Sequence, residues 1–289
     1  MSVSVPVTKF SVIQMVSSQE VGHNLQQAGK WVRQAADQGA KLVVLPENFA
    51  VVDNGNLRAV AEREEVSHQI RNTLTALAIE CKVWLVAGTI PSVSRPDGNP
   101  VPGGRVRAAC HLIDDQGNWL ARYDKIHLFD VDVADQTGAY RESANIEPGE
   151  DVVVVTTPFG RLGLAVCYDL RFAELFLLMA EQGVDIIALP AAFTYRTGQA
   201  HWNALVQARA IEWQAIVLAS NQGGAHSCKR NTWGHSMIVD AWGRVSGMIA
   251  QGPGVLSVDV STASIAEIRK KMPIADHRVL LVNRHRHSN

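Results

Sequence analysis

Short apolar runs recur along the chain, each cut off by proline or glycine and preceded by a segment whose apolar residues fall at helical spacing. Leu42-Val43-Val44-Leu45 is the clearest: the run is too short for a helix and Pro46 ends it, the pattern of a buried strand. Before it, Leu25, Ala28, Val32 and Ala35 lie on one helical face, and Gly39 supplies a C-cap. The unit returns as a helix over 67–81 and a strand over 83–87 closed by Gly88. Further strands are predicted at 5–16, 151–156, 162–168, 185–189, 215–220, 235–240 and 254–260, and helices near 171–182, 199–213 and 261–271. Residues 92–104 read as a loop, and the alternating segments 105–113 and 119–123 beyond it suggest antiparallel strands joined at Asp115-Gln116-Gly117. Strands alternating with helices make this an α/β chain.

One stretch repeats. ADQGAKLVVLPENF at 36–49 aligns without gaps on AEQGVDIIALPAAF at 180–193, an offset of 144 residues, and six of the fourteen positions are identical. Each copy is a helix end, a glycine stop, a buried strand and a proline stop, which suggests two equivalent units in one pseudo-symmetric fold. The alternative is that unrelated helix-to-strand joints share this punctuation. Either way the copies differ where it matters: Glu47 follows the first proline and Ala191 the second. A carboxylate buried at a strand end is costly unless it has a partner or a task.

Composition narrows the function. With 289 residues, 47% hydrophobic and a formal net charge of −1, the chain should bury a sizeable core and has no basic surplus for nucleic acid or a membrane surface. The Arg/His tail at 284–287 is the exception, and it reads as solvated. No apolar run approaches the roughly 20 residues that span a bilayer, and residues 1–16 lack the pattern of a signal peptide. The expectation is a cytoplasmic protein with a small-molecule partner. Cys81, Cys110, Cys167 and Cys228 are dispersed and read as free thiols.

Ligands in open α/β sheets gather beyond the carboxyl ends of strands. Glu47, Lys125 (in LARYDKIHLFD) and Cys167 (after RLGLAV, before YDLRFAEL) all sit in such positions. A thiol at a helix start near a lysine has its thiolate favoured, whereas a thiol in an apolar strand has it disfavoured, so Cys167 is pulled both ways. Gly234-His235-Ser236-Met237-Ile238 begins like the serine-hydrolase elbow but lacks its last glycine and reads as a strand. His201, His226 and His235, with Cys228, show no zinc-ligand spacing, so no metal is expected. There is no P-loop and no dinucleotide fingerprint.

LVVLPENF, RYDKIHLFD and GLAVCYDLRFAEL, in that order and at those separations, resemble the three signatures of the nitrilase, or carbon–nitrogen hydrolase, superfamily. The likeness continues through YRESANIEPG, ALPAAFTYRTGQAHW, QARAIEW and WGHSMIVDAWGRV and covers about residues 5–275. It implies a four-layer α-β-β-α sandwich, read here as a single domain over 1–275 with a C-terminal tail at 276–289. It also implies a catalytic triad of Glu47, Lys125 and Cys167, with Glu142 in YRES as a second glutamate that orients the lysine. An amide carbonyl is a poor electrophile, so such a site needs a strong nucleophile, an oxyanion donor and a proton carrier. No cofactor is required.

Within the superfamily, AFTYRTGQAHW, QGGAHSCKRNTWGHSMIVD and CYDLRFAEL resemble the small Nit-type amidases, which act on deaminated glutathione or on ω-amides of α-keto acids. The run from Gln222 to Met237 is closer to the deaminated-glutathione branch. Both substrates are anionic, which makes Arg171, Arg196 and Arg230 candidate cations and Tyr195 a candidate wall residue. The resemblance further implies a homodimer or higher homo-oligomer, although MPIADHRVLLVNRHRHSN departs from the family's aromatic-ended tail. A true nitrilase, or a catalytically silent binding protein on the same fold, are the competing readings.

Overall fold

The computed structural model describes residues 7–52, 55–133, 138–227 and 230–280. The chain lays down β1 (Thr8–Gln14), α1 (Val21–Asp37), β2 (Leu42–Val44), α2 (Leu57–Ser67), α3 (Gln69–Cys81), β3 (Trp84–Val86), β4 (Ile90–Ser92), β5 (Arg107–Ile113), β6 (Trp119–Asp124), β7 (Asp130–Asp132) and β8 (Ala139–Arg141). It continues with β9 (Val154–Thr157), β10 (Gly160–Leu164), α4 (Ala173–Glu181), β11 (Ile186–Ala191), a one-turn α5 (Tyr195–Thr197), α6 (Asn203–Trp213), β12 (Ile216–Asn221), β13 (Ser236–Val239), β14 (Val245–Ile249), β15 (Gly254–Val260) and α7 (Ala263–Lys271).

Thirteen of these strands form two large sheets, and β7 pairs with β8 apart from them. One runs β15-β1-β2-β3-β5-β4, with β6 also paired to β5; the other runs β14-β13-β12-β11-β10-β9. In the first, β2 is the middle of three parallel strands, paired through Phe10↔Leu42 and Leu42↔Trp84. In the second, β11 holds the same place, paired through Leu162↔Ile186 and Ile186↔Ile216. Antiparallel strands flank both trios. The repeat at 36–49 and 180–193 therefore falls on corresponding strands of two related halves.

Burial explains the uninterrupted apolar runs. Leu42 and Val44 point between the sheets, into a core with Phe10, Leu162, Leu164, Ile186 and Val217, while Val43 and Leu45 point outward to Leu25, Ala28, Val32, Leu74 and Leu77 of α1 and α3. A strand covered on both faces has no polar side to alternate with. On the far side, α4 and α6 contribute Phe176, Met179, Val206 and Ala210 to the same continuous core, which completes the α-β-β-α layering. Among the described residues no helix is long and apolar enough to cross a membrane.

The boundaries moved where side chains, not backbone, decide them. The strand expected over 162–168 ends at Leu164, and the helix expected from 171 starts at Ala173, because a 3-10 turn over Cys167–Arg171 intervenes. The helix expected over 67–81 is preceded by α2, which buries only Val60 and Ala61 and so shows no apolar stripe. His68, left-handed at φ 52°, separates the two helices, and the Glu64 carboxylate accepts from Ile70 and Arg71 N–H at 2.8 and 2.9 Å in place of an N-cap. The short strands β4, β7, β8 and β14 were also not expected. Cys228, His285 and His287 lie outside the described residues.

One group in the first sheet gives a stability prediction. Burial, together with the Arg122 and Arg71 cations, pushes the His111 imidazole from 6.5 down to about 3. The unfolded chain therefore takes up a proton below pH 6.5 that the folded chain refuses until near pH 3, so this residue costs stability as pH falls through that window. Relative to His111→Gln, the wild type should lose about 1 kcal/mol per pH unit between pH 6.5 and 5, read from urea-unfolding midpoints.

Candidate active site

Four chain segments converge at one end of the sheets. Glu47 follows the β2 proline and is 3% exposed. Its turn is held from below: the Gln222 amide donates to the Glu47 carbonyl at 3.1 Å and to Ser17 Oγ at 2.9 Å, and Asn48 N–H donates to Thr89 Oγ1 at 2.9 Å. Lys125 is the first residue after β6, and its carbonyl accepts from Gly149 N–H at 2.8 Å. That approach needs a glycine, since a Cβ at 149 would sit 2.0 Å from the Asp124 carbonyl oxygen. Glu142 opens the 3-10 turn after β8, and its Oε2 accepts from Phe129 N–H at 2.6 Å. Cys167 opens the 3-10 turn after β10, at φ 50°. Non-glycine residues avoid that left-handed region, and strain of this kind concentrates at functional sites.

The structure brings Glu47, Lys125, Glu142 and Cys167 together. The Lys125 ammonium donates to Glu47 Oε1 at 2.8 Å and to Glu142 Oε1 and Oε2 at 2.8 and 2.9 Å. Burial opposes its charge, but the two carboxylates outweigh burial and hold its pKa well above the usual lysine value. Burial, and after it the Glu47 charge, moves Glu142 the other way from a free carboxylate, upward, with Lys125 offsetting part of the rise. Cys167 is 7% exposed. The Glu47 carboxylate and the Ala192 main-chain N–H are its neighbours, the first favouring the neutral thiol and the second the thiolate. Burial and then the Glu47 charge push the thiol well above its ordinary value, against the pull of Lys125. The conflict read from sequence is decided on the side of burial: the resting group is a protonated thiol beside a carboxylate able to accept its proton.

These residues form the floor of a cavity of about 460 Å³, walled by Asn48, Phe129, Tyr140, Tyr168, Thr194, Thr197, Arg171 and Arg230 among others. The Arg171 guanidinium lies over the Tyr168 and Phe193 rings and contacts His201 Nδ1 at 3.3 Å. Tyr195 and Arg196, expected at the wall, are exposed residues outside it. The reason is helical phase: α5 starts at Tyr195, so Thr194 and Thr197, three residues apart, face the cavity and the two between them face away. Tyr195 packs edge-on against Trp233 instead.

A residue that sequence reasoning missed lies under the cysteine. Asp169 is fully buried; its Oδ2 accepts from Tyr123 Oη at 2.7 Å and Val166 N–H at 2.8 Å, and its Oδ1 lies 3.0 Å from His127 N and 2.8 Å from His127 Nδ1. The available signal was a lone acidic residue in an otherwise apolar stretch, the same signal that marked Glu47. Ser236 is buried in β13, where its hydroxyl bonds the Asn221 main chain. Among the described residues no cluster of three His, Cys, Asp or Glu is arranged to hold a metal.

Comparisons with known proteins agree with this geometry. Residues 9–270 match the carbon–nitrogen hydrolase family. The chain is 41% identical over 268 residues to the deaminated glutathione amidase of Yersinia enterocolitica, covering 92% of this chain and 91% of the relative. It is 33% identical over 266 residues to the omega-amidase NIT2 of Homo sapiens, covering 92% and 93% respectively. Among solved structures, Saccharomyces cerevisiae Nit3, a member of branch 10 of the nitrilase superfamily, superposes with a TM-score of 0.82 at 27% identity, covering 95% of this chain and 97% of that one. A family match spanning almost the whole chain, on a sandwich whose strand ends gather a buried glutamate, lysine and cysteine, makes this protein a member of the carbon–nitrogen hydrolase family.

Proposed function

We propose that the protein is an amidase that cleaves a small carboxylate-bearing amide, such as deaminated glutathione, through a thioester on Cys167. The observation that carries this reading is the buried Lys125 ammonium held between Glu47 and Glu142 beside a protonated thiol. Glu47 takes the thiol proton as sulfur attacks the carbonyl carbon. The Lys125 ammonium, with a main-chain N–H near Cys167, stabilises the oxyanion, and Glu47 returns the proton to the leaving nitrogen. Water, deprotonated by Glu47, then hydrolyses the thioester and releases a carboxylic acid. Glu142 keeps the ammonium charged and aimed.

Two cations support an anionic substrate. Arg141, also on the cavity wall, is neutralised by Asp132 at 2.7 Å. Arg171 and Arg230 have no ion pair with any described residue. Un-neutralised guanidinium groups in a cleft are suited to carboxylates. The higher identity to a deaminated glutathione amidase, 41% against 33% for the omega-amidase, favours the first substrate.

The test is turnover of deaminated glutathione, α-ketoglutaramate and an aliphatic nitrile, followed by product release. Fastest cleavage of deaminated glutathione is expected; preference for α-ketoglutaramate would make the protein an omega-amidase, and preference for the nitrile would sink the amidase reading. In the same assay Arg230→Gln should raise KM for the carboxylate-bearing amide by about tenfold, with a much smaller effect on a neutral amide.

A further inference from the structure

Asp169 ties together the two chain segments whose separation the chemistry depends on. Its donors Tyr123 and His127 lie two residues before and two residues after Lys125. Its third donor, Val166 N–H, lies immediately before Cys167, and Asp169 itself lies two residues after. One side chain thus bridges the end of β6 to the cysteine turn from both sides of each reactive residue.

The donors are fixed. Burial, then the Asp169 charge, raises the Tyr123 hydroxyl well above its usual pKa, so it stays protonated and donates. With the carboxylate as acceptor, the proton between His127 and Asp169 belongs on Nδ1. The His127 ring is stacked on Phe172, the residue that ends the cysteine turn, with centroids 3.7 Å apart and planes 6° from parallel. A carboxylate with no solvent exposure, given four hydrogen bonds, has few alternative positions. The Glu47 main chain, by contrast, is held by the Gln222 amide, which also donates to Ser17 Oγ and does not touch Asp169.

We propose that Asp169 is a positioning residue that sets the distance from the Lys125 ammonium to the Cys167 sulfur. It does not touch substrate. It does keep the oxyanion donor and the nucleophile in register while Cys167 holds its left-handed backbone. This rests on the reading of Cys167 as nucleophile and Lys125 as oxyanion donor, and it predicts a specific pattern of damage. Losing the clasp takes the ammonium out of hydrogen-bonding alignment with the oxyanion, but its bonds to Glu47 and Glu142 keep it near enough for its charge to act on the thiol, so the Glu47–Cys167 pair can still make a thiolate. Reactions of Cys167 that pass through an oxyanion should suffer, and those that do not should survive.

Two reagents separate these cases without any knowledge of the natural substrate. Acylation by p-nitrophenyl acetate forms an oxyanion, whereas alkylation by iodoacetamide displaces iodide at a saturated carbon. Both rates are followed by mass spectrometry of the peptide that contains Cys167. In Asp169→Asn the acylation rate should fall by about 100-fold, while alkylation stays within about threefold of the wild type. Tyr123→Phe removes one of the four bonds and keeps the fold's shape; it should slow acylation about fivefold and spare alkylation.

A parallel loss of both rates would show general loosening and overturn the proposal, as would unchanged acylation in either variant. If Asp169→Asn does not fold, the selective effect of Tyr123→Phe decides alone. Failure of the wild type to be acylated at Cys167 would instead defeat the parent reading. Failure of the wild type to cleave any amide, with the selective effect intact, would defeat only the substrate assignment.

Discussion

Cys167→Ala is expected to abolish amide hydrolysis, with kcat/KM falling by at least about 10⁴-fold, because no neighbouring group can replace the sulfur as the atom that carries the acyl group. Stability should change little for the same substitution. Both side chains carry a Cβ, so the φ of 50° is equally strained in each. Cys167→Gly separates the two effects: glycine adopts that backbone without penalty, so this equally inactive variant should be more stable than Cys167→Ala by about 1 kcal/mol. Thermal unfolding of the pair, beside a turnover assay, checks both. Retention of wild-type turnover by Cys167→Ala would refute the mechanism outright.

The same residue shows what the sequence carries and what it does not. The strand before it and the helix after it leave period and punctuation marks, because covering a sheet on both faces demands them, and the elements that bury most are the ones legible in the chain. α2, with two buried residues, and the three-residue strands β7 and β8, with none, bury too little to leave a pattern, and β4 is buried but spans only three residues, one of them Pro91. The site follows a similar rule. Glu47 is visible because a carboxylate after a buried strand is out of place, but its meeting with Lys125, 78 residues on, depends on the packing of whole sheets. Tyr195 and Arg196 misled because composition cannot give the phase of a one-turn helix. Asp169 escaped because its task is to hold backbone and side chains that only the fold assembles.

The internal repeat also acquires a chemical meaning. Its two copies end at the same cavity: Glu47 and Asn48 from the first, Ala192 and Phe193 from the second. Where the first half supplies a base, the second supplies alanines, and the Ala192 main-chain N–H is a neighbour that favours the Cys167 thiolate. A second carboxylate at Ala191 would add negative charge next to a thiol that burial and Glu47 already hold back from ionising. Asymmetry between the halves at this one step leaves a single base facing a single nucleophile.

Lys125→Met should damage activity and stability together, lowering kcat by about 10³-fold and stability by about 3 kcal/mol near neutral pH. The kinetic loss follows from removing the oxyanion donor, and from removing the one neighbouring charge that draws the Cys167 thiol down. The stability loss follows from the contacts: the ammonium, 2% exposed, bonds Glu47 and Glu142 at 2.8 Å each, and without it a buried and a half-buried carboxylate face each other. Glu142, already held above the ordinary carboxylate value by burial and the Glu47 charge, would then lose the cation that offsets part of that rise. A group raised in this way is tolerated while protonated and costs stability as pH rises through its folded pKa. The gap between wild type and variant should therefore be small near pH 4 and widen toward pH 8, the reverse of an ordinary acid-sensitive mutant. Adding Glu142→Gln removes one of the two charges. The double variant should regain about 2 kcal/mol at pH 8, measured by urea unfolding, and remain inactive. Stability recovered without activity would separate the structural work of this ion triad from its chemical work; a gap independent of pH would mean that the carboxylates relax into solvent, and that Lys125 does not hold them.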